Sequence, residues 1–271
     1  MKIENARVST GIRIEYSLSG IKNNETLVFV HGLGANLHQF ELQAQFFAED
    51  YRVLLVSLRG HGGSSAPPCP ARADYTAKKL SLDVQALLQY LGVKKVHFVG
   101  NSLGGLVGYE LLELDSDMLG SLTTFGTTPR LHASRFIQWS LSTVIRLFGP
   151  KGMGLLVSKT GSKDRAVGAG LGRMYETVSK DALELITANI ADYDYTGTIS
   201  GHRVPMLMIR GSLDTEINKN LDTTLAVLRE NPDFELVELP GTGHFANMEV
   251  PDDFNEILGR FLSGESIKNN L

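Results

Sequence analysis

Short apolar runs recur along the chain and are separated by longer stretches with helical spacing. The runs predict core strands, because a parallel strand is buried on both faces and is apolar throughout. They lie at Leu27–Val30, Val53–Val56, Val96–Val99, Leu122–Phe125, Met206–Ile209 and Phe234–Leu239. Residues Ile12–Leu18 instead alternate apolar and polar positions, which predicts a half-exposed antiparallel strand.

The stretches between these runs have the apolar period of amphipathic helices. The predicted helices are Leu37–Ala48, Thr76–Leu91, Leu103–Leu114, Leu221–Glu230 and Asp252–Leu262. Strands that alternate with helices indicate a doubly wound, mostly parallel sheet that is covered by helices on both faces. We therefore predict an α/β fold with a central sheet of about eight strands.

A G-x-S-x-G motif, Gly100–Gly104, lies between a predicted strand and a predicted helix. A turn from strand to helix within one residue strains the serine backbone and lifts the hydroxyl of Ser102 above the sheet edge. The next amide, that of Leu103, lies at a helix N-terminus and faces incoming negative charge. Ser102 is therefore the candidate nucleophile, and a glycine-rich structural turn is the alternative.

A serine nucleophile requires a base, and the base requires a group that orients it. His244 follows the strand Phe234–Leu239, and Asp214 follows the strand Met206–Ile209. Because the carboxyl ends of parallel strands meet at one sheet edge, we expect both side chains to converge there with Ser102. His244 and Asp214 are the candidate base and orienting acid.

These residues and three further motifs resemble the α/β-hydrolase fold superfamily over nearly the whole chain. His31–Gly34 is similar to the HG-x-G loop of the family, and Gly243–Pro251 to its G-H-x-x-x-x-E-x-P block. Arg59–Ser64 is similar to the D-x-R-G-x-G-x-S turn, although Ser57 stands where the family has an aspartate that supports a loop. The order Ser…Asp…His is also the order that this fold uses.

The resemblance implies a serine hydrolase that acts through a covalent acyl-enzyme without a cofactor or metal. Ser102 would be the nucleophile, His244 the general base and Asp214 its orienting acid. The amides of Leu33 and Leu103 would form the oxyanion hole. Carboxylic esters of small to medium apolar acids are the leading expectation for the substrate.

Two other functions stay open at this point. The first is hydrolysis of a C–C bond in vinylogous diketone acids, which relatives with the same Gly-Asn-Ser opening perform. Those relatives usually carry tryptophan where this chain has Phe245. The second is a ligand receptor or signalling protein that retains the triad.

The alternation of strands and helices is interrupted before the strand Met206–Ile209, and no convincing strand is found from Thr127 to about Arg203. In the family this insertion is a cap over the site, so we expect a helical cap at 129–203 and a core domain at 1–128 and 204–271.

One helical face of the expected cap is apolar and would either pack on the core or line an acyl pocket. It consists of Phe136, Ile137, Leu141, Val144, Ile145 and Phe148. Trp139 is expected to pack within the cap, and the glycines at 149–172 to give either mobility or close packing.

Charge is distributed unevenly. Between residues 130 and 165 seven basic residues face one acid, Asp164, which gives a segment charge of +6 in a chain of −4. The basic residues are Arg130, Arg135, Arg146, Lys151, Lys159, Lys163 and Arg165. They are expected to form a solvated face, or one or two arginines to bind an anionic group of the substrate.

The composition of the 271 residues excludes several partners. A net charge of −4 argues against nucleic acid, because phosphate neutralisation needs a basic face. The single cysteine, Cys69, excludes an intrachain disulfide. No apolar run approaches the length of a membrane span or signal peptide. We expect a cytoplasmic protein with a small-molecule, ester-like substrate.

Overall fold

An eight-stranded sheet forms the centre of the computed structural model, which describes residues 1–265 and 267 but not the side chains of 135–137. The strands of the chain are β1 (Ile3–Arg7), β2 (Arg13–Ser19), β3 (Thr26–Val30), β4 (Arg52–Val56), β5 (Val96–Asn101), β6 (Leu119–Phe125), β7 (Arg130–His132), β8 (Asp192–Asp194), β9 (Met206–Gly211) and β10 (Phe234–Leu239). Their order in the central sheet is β1-β2-β4-β3-β5-β6-β9-β10. The pairs β1–β2 and β2–β4 are antiparallel, and the other neighbours are parallel, which confirms the predicted α/β fold.

Helices cover both faces of this sheet. The helices of the described chain are α1 (Glu41–Phe47), α2 (Ala77–Tyr90), α3 (Leu103–Leu114), α4 (Arg135–Thr160), α5 (Arg165–Tyr175), α6 (Lys180–Asn189), α7 (Thr196–Gly201), α8 (Thr215–Asp222), α9 (Leu225–Leu228), α10 (Ala246–Glu249) and α11 (Pro251–Leu262). Within the described part of the chain, no helix is long and apolar enough to cross a bilayer.

Successive residues of the central strands point to opposite faces and build two cores. In β3, Val28 and Val30 join the core that contains side chains of α2 and α3. Leu27 and Phe29 of the same strand join the core that contains side chains of α1 and α11. Burial on both faces explains why these strands read as continuous apolar runs.

Two expectations about secondary structure are wrong in detail, and one strand was missed. The edge strand β1 was not predicted, because its sequence has few apolar residues and it is fixed by pairing with β2. The segment Leu37–Ala48 begins as a 3-10 turn before α1. The helix expected at Leu221–Glu230 is broken at Thr224, whose hydroxyl bonds the Leu221 carbonyl at 2.8 Å and competes with helical hydrogen bonding.

The segment between β6 and β9 contains the helices α4 to α7 and also two strands that were not expected. β7 and β8 form a separate antiparallel pair in which Leu131 lies opposite Tyr193. Three-residue strands are too short to give a period in the sequence, so only their pairing reveals them. α4 is kinked at Gly149, which has φ 60°.

Glycines let α4 and α5 approach closely. A Cβ added at Gly154 would lie 2.7 Å from the Gly172 carbonyl, and one at Gly168 would lie 2.6 Å from the Ser158 carbonyl. Any side chain would separate the two backbones. These contacts support close packing as the role of this glycine-rich tract.

The apolar face predicted on α4 is only partly buried. Ile145 is 2% exposed, but Phe148 is 63% exposed and does not belong to the packed face. Trp139, expected to pack in the cap, is 65% exposed. Phe136 and Ile137 belong to the same expectation, and their side chains lie outside the described residues. The kink after Phe148 changes the direction of the helix, which a single helical period does not anticipate.

Candidate active site

Ser102 occupies a strained turn between β5 and α3. Its φ of 51° is the only positive φ of a non-glycine residue in the described part of the chain. A Cβ at Gly100 would lie 2.3 Å from the Gly104 carbonyl, and a Cβ at Gly104 would lie 2.0 Å from the Val30 carbonyl. Both glycines are therefore required by close backbone approach, and the turn holds Ser102 at the carboxyl edge of the sheet.

Asp214 and His244 form a hydrogen-bonded pair at the same edge. His244 Nδ1 lies 2.7 Å from Asp214 Oδ2. The loops that carry them are tied together, since the amide of Leu213 bonds the Thr242 carbonyl at 2.8 Å. A carboxylate at Nδ1 favours the tautomer with its proton on that atom, which leaves Nε2 as an acceptor.

Asn101, which precedes Ser102, and Gly126, which follows β6, both contact His244. Asn101 Nδ2 donates to the His244 carbonyl at 3.0 Å and to the Phe125 carbonyl at 3.2 Å. Gly126, with φ 57°, lies against the imidazole, because an added Cβ would be 3.0 Å from His244 Cε1. Ser102, Asp214 and His244 thus lie on neighbouring loops at one sheet edge, as expected from their positions after parallel strands.

The loop after β3 leaves the amide of Leu33 available. The amide of Gly32 donates to Gln39 Oε1 at 3.1 Å, and the amide of Gly34 donates to His61 Nε2 at 3.2 Å. The amide of Leu33 between them makes no hydrogen bond among the residues that the structure describes. Leu103 is the first residue of α3, so its amide belongs to the unpaired donors of a helix N-terminus.

Two buried histidines hold this loop in place. His31 Nδ1 bonds the Gly32 carbonyl at 2.7 Å, and its Nε2 accepts from the Leu58 amide at 2.9 Å. Burial and the neighbouring His61 hold the pKa of His31 well below its ordinary value. Burial also lowers the pKa of His61 to about 4. Both rings are neutral at pH 7, which suits them to pair one donor and one acceptor with the backbone.

A chain of buried amides connects the loops, and it was not found from the sequence. Gln39 Nε2 donates to Asn101 Oδ1 at 3.0 Å and to Asn247 Oδ1 at 3.3 Å. Asn247 Nδ2 donates to Gln43 Oε1 at 3.0 Å, and Gln43 Nε2 donates to Asn255 Oδ1 at 3.1 Å. All five side chains are buried. Gln39 and Gln43 lie one turn apart in the predicted helix 37–48, a polar pair that could have been noticed.

A carboxylate from β2 occupies the turn where the family has an aspartate. Ser57 Oγ donates to Glu15 Oε2 at 2.7 Å. A Cβ at Gly62 or Gly63 would lie 2.5 Å or 2.4 Å from the Glu15 carboxylate. Ser57 Oγ also accepts from the Leu37 amide at 3.2 Å. Glu15 therefore supplies negative charge next to the position where Ser57 lacks it.

Ser102 lines an apolar cavity of about 470 Å³. Its apolar lining includes Leu131 of β7, Leu141 of α4, Tyr193 of β8 and Leu106 of α3. The polar lining includes His132, which is paired with Asp192. The β7–β8 pairing brings His132 to this cavity.

A second cavity of about 790 Å³ is lined by His244 and Asp214 and by the turn between α4 and α5. Glu249 also lines it and joins its two sides. Glu249 Oε2 accepts from the Gly243 amide at 2.6 Å, and Oε1 accepts from Ser162 Oγ at 2.6 Å. Among residues 1–265 and 267, no group of three or more His, Cys, Asp or Glu side chains is arranged to hold a metal ion.

Residues 25–251 match the sequence model of a family described as the alpha/beta hydrolase fold. The chain is 26% identical over 258 residues to 3-oxoadipate enol-lactonase 2 of Acinetobacter baylyi. This alignment covers 90% of this chain and 91% of the relative. It is also 32% identical over 142 residues to epoxide hydrolase 3 of Xenopus tropicalis. This alignment covers 52% of this chain and 37% of that relative. A solved hydrolase from Pseudomonas aeruginosa has a TM-score of 0.82 at 26% identity and covers 96% of this chain and 98% of its own. The chain belongs to the α/β-hydrolase fold family, which confirms the resemblance read from its motifs.

Proposed function

We propose that this chain is a serine hydrolase that cleaves carboxylic esters of small to medium apolar acids. The observation that carries the proposal is the unbonded amide of Leu33 beside a strained Ser102 and a His244–Asp214 pair. The amide of Leu33 has no other acceptor, so it can donate a hydrogen bond to the oxyanion that forms during the reaction. The similarity to an enol-lactonase, whose name describes the opening of a cyclic ester, supports the same bond type.

In the first half-reaction Ser102 Oγ bonds to the ester carbonyl carbon while its proton moves to His244 Nε2. The amides of Leu33 and Leu103 bind the oxyanion that forms. Asp214 keeps the Nδ1 tautomer and stabilises the imidazolium. The ester C–O bond then breaks, and His244 returns its proton to the departing alcohol oxygen.

In the second half-reaction His244 removes a proton from water, and the resulting hydroxide oxygen bonds to the acyl carbon. The bond to Ser102 Oγ breaks, this oxygen regains a proton from His244, and the acid departs. No redox step is involved, and each proton is returned within one turnover.

The segment 129–203 acts in this proposal as a cap that shapes the acyl site. Leu131 and Leu141 of this segment line the cavity that also contains Ser102. Apolar walls favour an apolar acyl chain, and a methylene in such a pocket changes the rate by about 10–200-fold. With domain boundaries at 128/129 and 203/204, the core domain would perform the chemistry and the cap would select the acyl group.

The test is covalent labelling of the nucleophile together with turnover on a panel. An organophosphonate should add once, at Ser102, and Ser102→Ala should lower kcat by about 10⁴–10⁶-fold. The panel contains aryl esters of graded acyl length, a lactone and a vinylogous diketone acid. Labelling of another residue, or retained turnover in Ser102→Ala, contradicts the mechanism. A burst without sustained turnover favours a receptor, and cleavage of the diketone acid alone favours the C–C hydrolase.

A further inference from the structure

We infer that Tyr175, the last residue of α5, is a positioning residue of the oxyanion hole, because its ring holds the turn that carries the Leu33 amide. The inference rests on the proposed ester hydrolysis. It gives the segment 129–203 a part in stabilising the oxyanion, which is separate from any selection of the acyl chain.

The Leu33 amide lies in a tight turn. The Ala35 amide donates to the Gly32 carbonyl at 3.1 Å, which closes a turn with Leu33 and Gly34 at its centre. Gly34 has φ 77°, a turn conformation that favours glycine. The direction of the Leu33 amide therefore depends on whether this turn keeps its shape.

The ring of Tyr175 lies directly on this turn. A Cβ added at Gly34 would be 2.3 Å from both Cε1 and Cζ of Tyr175 and 2.6 Å from Cε2. The outer half of the ring thus covers the Cα of Gly34 at the place where a side chain would stand. Because packed atoms resist compression, this contact prevents the Gly34 backbone from moving toward α5.

The side chain of Tyr175 is itself held in place by α4. A Cβ added at Gly154 would lie 3.4 Å from the Tyr175 Cβ, so the base of the side chain packs against that helix. The Tyr175 hydroxyl makes no hydrogen bond with another described residue, and burial raises its pKa to about 12. The contact with the turn is therefore made by the ring and does not need the hydroxyl.

The residues that follow the ring are bonded to the same loop and to the turn beside it. Asn36 Nδ2 donates to Thr177 Oγ1 at 3.2 Å, and the Ser179 amide donates to the Gly60 carbonyl at 2.7 Å. Gly60 directly precedes His61, whose ring accepts a hydrogen bond from the loop of Leu33. These bonds keep the end of α5 beside the oxyanion loop.

The contact should matter at the transition state and not for binding of the ester. The carbonyl oxygen gains negative charge when Ser102 Oγ bonds to the carbon, and only then does the Leu33 amide stabilise it strongly. Tyr175 does not line the cavity of Ser102, so loss of the ring removes no contact with the acyl chain. A loosened turn should therefore lower kcat and leave KM nearly the same.

The experiment measures steady-state kinetics on an aryl butanoate and the affinity for propyl trifluoromethyl ketone. Ser102 Oγ adds to the ketone carbon and its proton moves to His244, which gives an oxyanion without a leaving group. Tyr175→Ala should lower kcat by about 10–100-fold, change KM less than about 2-fold and weaken ketone binding by about 10–100-fold. Tyr175→Phe keeps the ring and should retain the wild-type values within about 2-fold.

Leu183→Ala is the matched control, because Leu183 is a buried residue of α6 that does not line the cavity of Ser102. It should unfold at a lower temperature but keep the wild-type kcat and ketone affinity. If Tyr175→Ala does not fold, Tyr175→Leu replaces it, because leucine keeps an apolar side chain without the flat ring. This variant should show the same fall in kcat.

Four results would overturn the inference and leave ester hydrolysis intact. They are an unchanged kcat without the ring, a rise in KM alone, an equal loss in Leu183→Ala, and a loss in Tyr175→Phe as large as in Tyr175→Ala. Failure of the wild type to hydrolyse the ester or to bind the ketone would instead overturn the proposed function.

Discussion

The side chain of Asn101 donates a hydrogen bond to the main-chain carbonyl of His244 at 3.0 Å. This contact joins the residue before the candidate nucleophile to the candidate base. Asn101 is fully buried and also receives a hydrogen bond from Gln39, which holds the loop of Leu33 through Gly32. One amide therefore fixes the relative positions of three loops that must act together.

Asn101→Ala should lower kcat by about 10–100-fold with little change in KM, because a displacement of about 1 Å at the reacting atoms has an effect of this size. Steady-state kinetics on an aryl ester measures it. The control is Asn231→Ala, a buried asparagine that bonds the Val204 carbonyl at 2.9 Å near the amino ends of β9 and β10. An equal fall in kcat in both variants would indicate general destabilisation.

Gly126→Ala should reduce kcat by at least about 10-fold, because the added Cβ collides with the ring and the carbonyl of His244. Gly92→Ala is the matched control, since Gly92 has φ 68° but no atom within 4 Å of the added Cβ. Both variants bear the cost of a left-handed backbone, about 1–2 kcal/mol. Thermal unfolding should show that shared cost, and only Gly126→Ala should lose activity. Equal activity in the two variants would contradict the contact with His244.

Asp214→Asn should lower kcat by about 10⁴-fold, because an amide at this position no longer fixes the Nδ1 tautomer or stabilises the imidazolium. Asp192→Asn changes the second histidine–aspartate pair, that of His132, and should change kcat less than about 3-fold. If the effects are reversed, the base is His132 and the assignment of His244 is wrong.

Leu141→Ala should shift the preferred acyl length toward longer chains, because it enlarges the cavity that contains Ser102. The ratio of kcat/KM between a long and a short ester should change by about 10–200-fold at most. Leu147→Ala on the same helix is the control, since Leu147 is 76% exposed and does not line the cavity. An unchanged ratio in Leu141→Ala would mean that the segment 129–203 does not select the acyl chain.

The free energy of unfolding should fall as the pH drops from about 6.5 toward 4, because His31 and His61 stay neutral in the folded protein and gain protons when it unfolds. A pKa lowered by folding gives stability that is present above the unfolded value and is lost below it. Each histidine contributes a slope of about 1.4 kcal/mol per pH unit in this window. Urea unfolding of His61→Gln should show a shallower slope than the wild type, and an identical slope would contradict the prediction.

The parts that the sequence predicts well depend on local chemistry. α3 has the predicted bounds Leu103–Leu114, because the strained serine turn sets the start of the helix. The central strands were found because burial on both faces makes them apolar. The order of Ser102, Asp214 and His244 along these strands was enough to expect them at one edge.

The parts that were missed depend on contacts between residues far apart in the sequence. Gln39 bonds Asn247, which is 208 positions away, and His132 reaches the cavity by pairing with Asp192. The hydropathy of a segment does not report such contacts. The same holds for the basic residues of 130–165, since only the fold shows that Arg146 pairs with Glu184 and that Lys163 lines the same cavity as His244.

The hydroxyl–carboxylate pair of Ser57 and Glu15 makes these two positions interdependent in evolution. With the oxygens 2.7 Å apart, an aspartate at 57 would face a second carboxylate at hydrogen-bond distance, and like charges so close disfavour joint ionisation. Introduction of the family's aspartate at position 57 is therefore disfavoured while Glu15 remains. Replacement of Glu15 by a neutral residue removes this repulsion, so the residues that can be accommodated at the two positions depend on each other.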